Sequence, residues 1–358
     1  MTSSLVSVII PTYNRPEFLR KCVESVIVQT YRNLEIIVIN DGGVDVSNVI
    51  NSASENLRVR YIVLSNNQGM AVARNTGLRV SNGTYIAYLD DDDIYYPQHI
   101  ERLVSVLEQK PFAVAYSDAC RAHLKWGDDE YTVVGRDRPY SFEFDADQLF
   151  LKNQIPTLCI MHRRDCLEKT GYFDESLNAH EDWDLWIRMS QQYPFFHVKE
   201  VTCEFSWRED GSTTTSSLHL AFVLTRLRIY DKYRAYVATK PALLIAQLAA
   251  HDRDATQLYR MFHQHIMEVL KKSSATTEDV DSFSHLIAKT FPDGATLTNA
   301  QARLIATFMG LLSEVDRLKK TEVQNRTIIA RLTTYQNRVQ RHPLYRLYQL
   351  LKLIVGFK

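Results

Sequence analysis

Over residues 6 to 90 the chain alternates short apolar runs with amphipathic stretches of helical period. VSVIIP (6–11), LEIIVIN (34–40), VRYIVLS (59–65) and YIAYLD (85–90) are short and almost continuously apolar, as expected of strands covered on both faces. Between the first two, FLRKCVESVIVQ places Phe18, Cys22, Ser25 and Val26 at helical spacing behind Pro16, which fits a first-turn position. A weaker helix is predicted around 44–55 and a clearer one from Gly69 to Val80. Strand and helix alternating at this spacing predict an open, mostly parallel α/β sheet with right-handed crossovers. Ligands bind such sheets where strands end at their carboxyl edge. Three of these ends carry polar clusters: Thr12-Tyr13-Asn14, Asn40-Asp41-Gly42, and the run Asp90, Asp91, Asp92 and Asp93.

Beyond residue 113 the pattern becomes mixed. AVAYSDACRAH (113–123) and EYTVVG (130–135) predict antiparallel strands, and TLCIMH (157–162) a further buried one. EDWDLWIRMSQQ (181–192) predicts a helix with Trp183, Trp186, Ile187 and Ser190 on one face, and FFHVKEVTCEFSW (195–207) a return to strand. A polar loop near 208–217 marks a boundary, after which 218–318 is rich in Leu and Ala with few strand signals. The expected organisation is an α/β domain over 1–215, an α-helical domain over 216–310, and a terminal segment over 311–358. Leu304, Phe308, Leu311, Val315 and Leu318 step by three and four like a coiled-coil seam, continued by Ile329 and Leu332 past Glu322 and Asn325. Such a seam would serve self-association through the C-terminal helices. The tail HPLYRLYQLLKLIVGFK has the composition of an interfacial helix, and equally of a terminal helix packed on its own domain or a partner subunit.

Composition narrows the function classes. Hydrophobic residues make up 45% and charged residues 23%, the ordinary balance of a soluble globular protein. Lys plus Arg and Asp plus Glu are equal at 42 each, so no global field draws in nucleic acid, and any electrostatic function is local. The five cysteines have no CxxC or zinc-site spacing and read as reduced, buried thiols of a cytosolic protein. The N-terminal MTSSLVSVIIPTYN lacks a basic region and is interrupted by Pro11, unlike a signal peptide. No run reaches the roughly 18 apolar residues of a membrane span.

The acidic run in YLDDDDIYYP carries the strongest chemical signal. Adjacent carboxylates repel, and three arrangements tolerate them: a solvated turn, a helix N-terminus, or a hard-cation site. The apolar flanks argue against a solvated turn. Asp93 lies a few residues before the helix that begins at Pro97 and is placed to cap it. A strand-like zigzag would project Asp90 and Asp92 to one side, an oxygen pair suited to Mg²⁺ or Mn²⁺ with waters and phosphates in the remaining positions. Asp41 could accept hydrogen bonds from a base or ribose, although Asp-Gly is also a common turn dipeptide. Glu181 and Asp182 open the Trp-rich helix. Acidic first turns are ordinary capping chemistry, and a carboxylate beside an apolar wall is also how a general base is raised towards neutrality. From the residues alone this is a metal–diphosphate site beside a nucleotide crevice, and group transfer from an activated nucleotide is the reaction class that follows.

The series VSVIIPTYNR, VINDGG, NQGMAVARNTGL, YIAYLDDDDIYYP and AHEDWDLWIRM, in this order over roughly residues 5 to 210, resembles the family 2 glycosyltransferases, inverting enzymes of GT-A fold. The resemblance implies a nucleotide-diphosphate sugar donor lying across the strand ends, against Pro11, Thr12, Tyr13, Arg15, Asp41, Arg74, Asn75, Asp90 and Asp91. It implies Mn²⁺ or Mg²⁺ held by the acidic motif, with Asp92 at the metal position and Asp90 towards the ribose, and the cation neutralising the leaving diphosphate. The catalytic base would be Asp182, with Glu181 its rival, deprotonating an acceptor hydroxyl in a single displacement that inverts the anomeric centre. His180, Trp183 and Trp186 would shape the acceptor side, core packing being as good an account of the two tryptophans.

Asn40-Asp41 stands where the family often has two acids, and Gly42-Gly43-Val44 where Gly-Ser-Thr is common. No QxxRW segment of processive synthases follows Asp182. The expectation is a non-processive hexosyl- or N-acetylhexosaminyltransferase acting on a surface glycan or lipid-linked oligosaccharide, cytoplasmic, with at most peripheral contact with the inner face of the cell membrane. The competing readings are a catalytically silent scaffold of a glycan-assembly complex and a nucleotidyltransferase. Intact Asp92 and Asp182 weigh against the first, and the lack of a Gly-rich, basic phosphate loop after the first strand against the second.

Overall fold

A computed structural model of the chain describes residues 3–54, 58–127, 130–208, 220–251, 253–254 and 257. The chain divides into two compact units, Met1–Glu268 and Val269–Lys358, and every described residue belongs to the first. The coiled-coil seam and the basic tail expected over 301–358 lie outside the described residues.

The first half follows the predicted alternation closely: β1 (Val6–Thr12), α1 (Pro16–Ile27), β2 (Leu34–Asn40), α2 (Ser47–Ser54), β3 (Arg58–Val63), α3 (Met70–Val80) and β4 (Tyr85–Tyr88). Then come β5 (Ile94–Tyr95), α4 (His99–Gln109), the long hairpin β6 (Val114–Gly127) and β7 (Glu130–Tyr140), β8 (Ile160–Arg163), α5 (Cys166–Thr170), α6 (Glu181–Ser190), β9 (Phe195–Arg208) and α7 (Leu220–Val237). The nine strands form one sheet in the order β3-β2-β1-β4-β8-β6-β9-β5, with β7 on the free flank of β6. β1, β2, β3 and β4 pair in parallel, as do β6 and β9, and the remaining pairings are antiparallel. This is the expected mostly parallel α/β sheet.

All seven residues of β1 and all seven of β2 are buried, as continuous apolar strands covered on both faces should be. Glu35 is tolerated inside β2 because Ser7 Oγ and the Asn82 N–H both donate to its carboxylate at 2.6 Å. The stripe that α1 buries is Leu19, Cys22, Val23, Ser25 and Val26. Phe18, expected in that stripe, instead lies at the edge, 5.6 Å from the Tyr131 ring. Gly77 lets α3 settle on β1: a Cβ there would stand 2.6 Å from Ile9 Cγ2. α6 is buried almost all round, with Trp183, Leu185, Trp186 and Ile187 fully enclosed rather than displayed on one face. All five cysteines are free and buried, as expected. Among the described residues no helix is long and apolar enough to cross a membrane.

Candidate active site

The carboxyl ends of β1, β2 and β4, the segment from Leu151 to Leu158, the start of α6 and the end of β9 enclose a cleft of about 940 Å³. (The two 3₁₀ turns η1, Gln148–Phe150, and η2, Thr157–Cys159, precede β8.) Of the residues singled out from sequence, Pro11, Thr12, Tyr13, Arg15, Asp41, Arg74, Asp90, Asp91, Asp92, His180, Glu181, Asp182 and Trp183 line it. Asn75 does not: its amide donates to the Phe173 carbonyl and to Glu175, tying α3 to the loop before α6. Trp186 does not either, being packed in the core between Tyr88 and Phe173.

The four aspartates form a turn, not the zigzag expected of a continuing strand. β4 ends at Tyr88, and the Asp93 N–H closes back onto the Asp90 carbonyl at 3.0 Å. Each side chain consequently finds its own partner. Asp90 meets Arg74 at 2.5 Å; Asp91 accepts from Thr12 Oγ1 at 2.8 Å and from Arg15; Asp92 accepts from Arg15 at 3.1 Å and from Arg208 at 2.6 Å. Asp93 does not cap α4. Its carboxylate accepts the Ser206 N–H of β9 at 3.0 Å, and no side chain caps that helix.

Arg74 connects the two acidic segments. Its guanidinium is buried and donates at once to Asp90 and to Glu181. Burial opposes its charge, but the Asp90 and Glu181 carboxylates outweigh burial and keep it firmly protonated. Burial likewise raises Glu181 to about 6 against the pull of Arg74. Asp91 is pushed to about 7 by burial and by the neighbouring Asp92 charge, against the pull of Arg15. Around this end of the cleft Asp90 to Asp93, Glu181 and Asp182 are six carboxyl groups, of which Asp90, Asp91, Asp92 and Glu181 pair with the guanidiniums of Arg15, Arg74 and Arg208. The pocket is therefore rich in acid, and Asp91 near 7 is one consequence. Among the described residues no three acidic, His or Cys side chains converge as a ready-made metal cluster.

Asp182 is held differently. Asn153 Nδ2 and Thr157 Oγ1 both donate to its Oδ2 at 2.9 Å, and the Trp183 N–H to its Oδ1 at 2.7 Å. No motif singles out Asn153, Thr157 or Arg208: Asn153 sits in a segment with no periodic signal, Thr157 opens the run expected as a strand but stands in the 3₁₀ turn η2, and Arg208 lies at an expected domain boundary, so only the chain's return brings them here. His180 caps the start of α6 in the left-handed region at φ 60°, with Nε2 on the Phe222 carbonyl of α7. Burial and then the nearby Arg226 push its pKa down to about 3, so it is neutral.

The loop after β2 explains the departures noted there. Asn40 donates to the Val44 carbonyl at 2.8 Å and accepts the Gly43 N–H at 2.7 Å; a carboxylate could not supply the donor. Gly42 has φ 74°, and a Cβ on it would lie 2.5 Å from the Asn66 carbonyl carbon. That close approach lets Asp41 accept the Gln68 and Gly69 N–H groups, each at 2.8 Å.

Residues 7–169 match the family model described as Glycosyl transferase family 2. An uncharacterized glycosyltransferase of Bacillus subtilis, YwdF, is 32% identical over 216 residues, which span 60% of this chain and 78% of that protein. The chain belongs to glycosyltransferase family 2. The family match ends before α6, so the acidic turn falls inside it and Glu181 and Asp182 outside. Among solved structures, TarS of S. aureus in complex with UDP-GlcNAc aligns with a TM-score of 0.56 at 18% identity, covering 69% of this chain and 72% of that one. The mannosyltransferase PcManGT of Pyrobaculum calidifontis, in complex with GDP-Man and Mn²⁺, aligns at 0.52 and 16% identity over 90% of this chain and 89% of that one. These likenesses establish the GT-A fold of this family 2 member.

Proposed function

We propose that this family 2 chain transfers a sugar from a nucleotide-diphosphate donor to a hydroxyl of a glycan or lipid-linked acceptor, with inversion and without an enzyme-bound intermediate. The observation that carries the reading is the joining of the acidic turn to the start of α6 by one buried guanidinium, with Asp90, Asp92 and Asp182 lining a single cleft. The donor would lie across the ends of β1 and β2, with Asp41 towards the base and Arg15 towards the diphosphate. TarS with UDP-GlcNAc and PcManGT with GDP-Man support a nucleotide-sugar donor by analogy of fold.

The excess of carboxylates over guanidiniums fits a divalent cation. Asp90 and Asp92, with side chains 26% and 13% exposed, would hold Mn²⁺ or Mg²⁺ together with donor phosphate oxygens. The cation would supply Lewis-acid neutralisation of the departing diphosphate. Asp182, steadied on one oxygen by Asn153 and Thr157, would take the acceptor proton as that oxygen attacks the anomeric carbon.

A thermal-shift screen of the full chain against UDP, GDP, TDP and their sugars, with and without Mn²⁺, tests this. Ligand at about 100 times its dissociation constant adds about 2.7 kcal/mol of apparent stability. A Mn²⁺-dependent shift with one nucleotide is expected, and Asp92→Asn should remove the Mn²⁺-dependent part. No shift with any nucleotide would sink the reading in favour of a silent scaffold.

A further inference from the structure

Trp183 and Trp186 are fully buried and have no ring face to offer a ligand. Another set of aromatic rings borders the cleft. β9 is two-sided there, because successive side chains of a strand point to opposite faces. Ser206 and Arg208 turn to the acidic turn, Ser206 Oγ donating to the Asp92 carbonyl at 2.5 Å and Arg208 to the Asp92 carboxylate. Phe205 and Trp207 project from the other face, in register with Arg121 and His123 of β6. On the far flank of β6, Tyr140 of β7 meets Phe205 edge-on with ring centroids 5.7 Å apart. The Arg121 guanidinium stands 5.4 Å from the centre of the Trp207 ring. Tyr140, Phe205 and Trp207 line the same cleft as Asp182, and Phe205 and Trp207 are partly exposed. Tyr140 is near enough to Asp182 that, after burial, this carboxylate is what raises its phenol.

We propose that Phe205 and Trp207, edged by Tyr140, seat the acceptor sugar, an uncharged pyranose laid with its C–H face on the rings and one hydroxyl directed at Asp182. Aromatic faces are electron-rich and attract the slightly positive C–H groups of a ring, while the ring's hydroxyls stay in the polar cleft. The class is neutral because the cation stacked on these rings is already matched: Arg121 donates to Asp137 through Nε at 2.8 Å and through a second N–H. The proposal deepens the reading of Asp182 as base and rests on it.

Saturation-transfer NMR on the full chain tests it, with the methyl glycosides of glucose, galactose, mannose and N-acetylglucosamine as probes at millimolar concentration. Ring protons of at least one glycoside should receive saturation from the wild type. Trp207→Ala should weaken that binding about three- to tenfold, and Trp207→Phe should restore most of it. The Mn²⁺-dependent nucleotide shift should persist in Trp207→Ala, which also shows that the variant is folded. Asp182→Asn should keep glycoside binding, so loss of transfer there bears on the base and not on the wall. Absence of saturation transfer to every glycoside in the wild type overturns the proposal, as does undiminished transfer in Trp207→Ala. Loss of nucleotide binding in a Trp207→Ala protein that remains folded by circular dichroism also overturns it, by assigning the wall to the donor.

Discussion

Replacing Arg74 by Met keeps the length of the buried stem and removes the charge that Glu181 and Asp90 share. Breaking a buried ion pair from one side costs about 3–5 kcal/mol, because the partner is left charged and unsolvated. Glu181 can escape part of that by binding a proton, which sets a ceiling. From its wild-type value of about 6, holding Glu181 protonated costs between about 1 and 2 kcal/mol near pH 7 and almost nothing near pH 5. With Arg74 in place Glu181 already stands at about 6, above its unfolded value. A raised carboxyl stabilises the fold fully below about pH 4.5, and that contribution is lost as pH rises through about 6. In Arg74→Met the folded pKa climbs further, so the deficit against wild type should grow with pH. Asp90 adds little, since its side chain is 26% exposed and water can replace the guanidinium. Urea titration of both proteins should give a difference that is larger near pH 7 than near pH 5 by between about 1 and 2 kcal/mol, the linkage of a carboxyl whose wild-type value is about 6. A difference independent of pH, or one below about 1 kcal/mol near pH 7, would refute Arg74 as the counter-ion of Glu181.

Three further outcomes are expected. Asp182→Asn should lower transfer about 10²–10⁴-fold while the nucleotide-induced thermal shift remains; if Glu181→Gln is the crippled variant instead, the base is Glu181. The double variant Asn153→Ala, Thr157→Val removes both donors to Asp182 Oδ2, which hold that carboxylate in place. Transfer, read as kcat/KM, should then fall about ten- to a hundredfold with nucleotide binding kept, and an unchanged kcat/KM would leave the pair a packing role only. Gly42→Ala adds a Cβ against the Asn66 backbone at a left-handed position. It should cost at least about 1 kcal/mol and weaken nucleotide binding by displacing the loop that Asp41 holds, as calorimetric titration with the nucleotide would read; unaltered affinity would detach Asp41 from the donor site.

The parallel core was legible because β1, β2 and β4 are buried on both faces and read as apolar runs; β3, expected to be covered in the same way, is the sheet's edge strand and is buried at no position. The boundaries of β2 match the sequence to the residue, since Asn33 and Asp41 bracket a run that is apolar but for Glu35 and the terminal Asn40. The acidic turn was legible as a site and misread in shape. Its four identical residues contain no clue to which carboxylate faces which guanidinium, and that depends on Arg15, Arg74 and Arg208 arriving from three other elements. α6 was read as one-faced because its tryptophans fall at helical spacing. In the structure α7 covers what would have been its outer side, with Tyr233 donating to Asp184 at 2.7 Å.

By itself the sequence determined the order of strands and helices, the strand ends where polar residues gather, and the acid-rich character of the site. These follow from local periodicity and residue type, which act within a few residues of chain. Tertiary structure alone decided that Arg74 joins Asp90 to Glu181, the latter 107 residues further along the chain than Arg74, and that Asn153 and Thr157 hold Asp182. It also decided that Phe205 and Trp207 border the cleft partly exposed while Trp183 and Trp186 are fully buried. Such pairings depend on where distant segments return in three dimensions, and charge and burial there are properties of the assembled pocket that no local pattern carries.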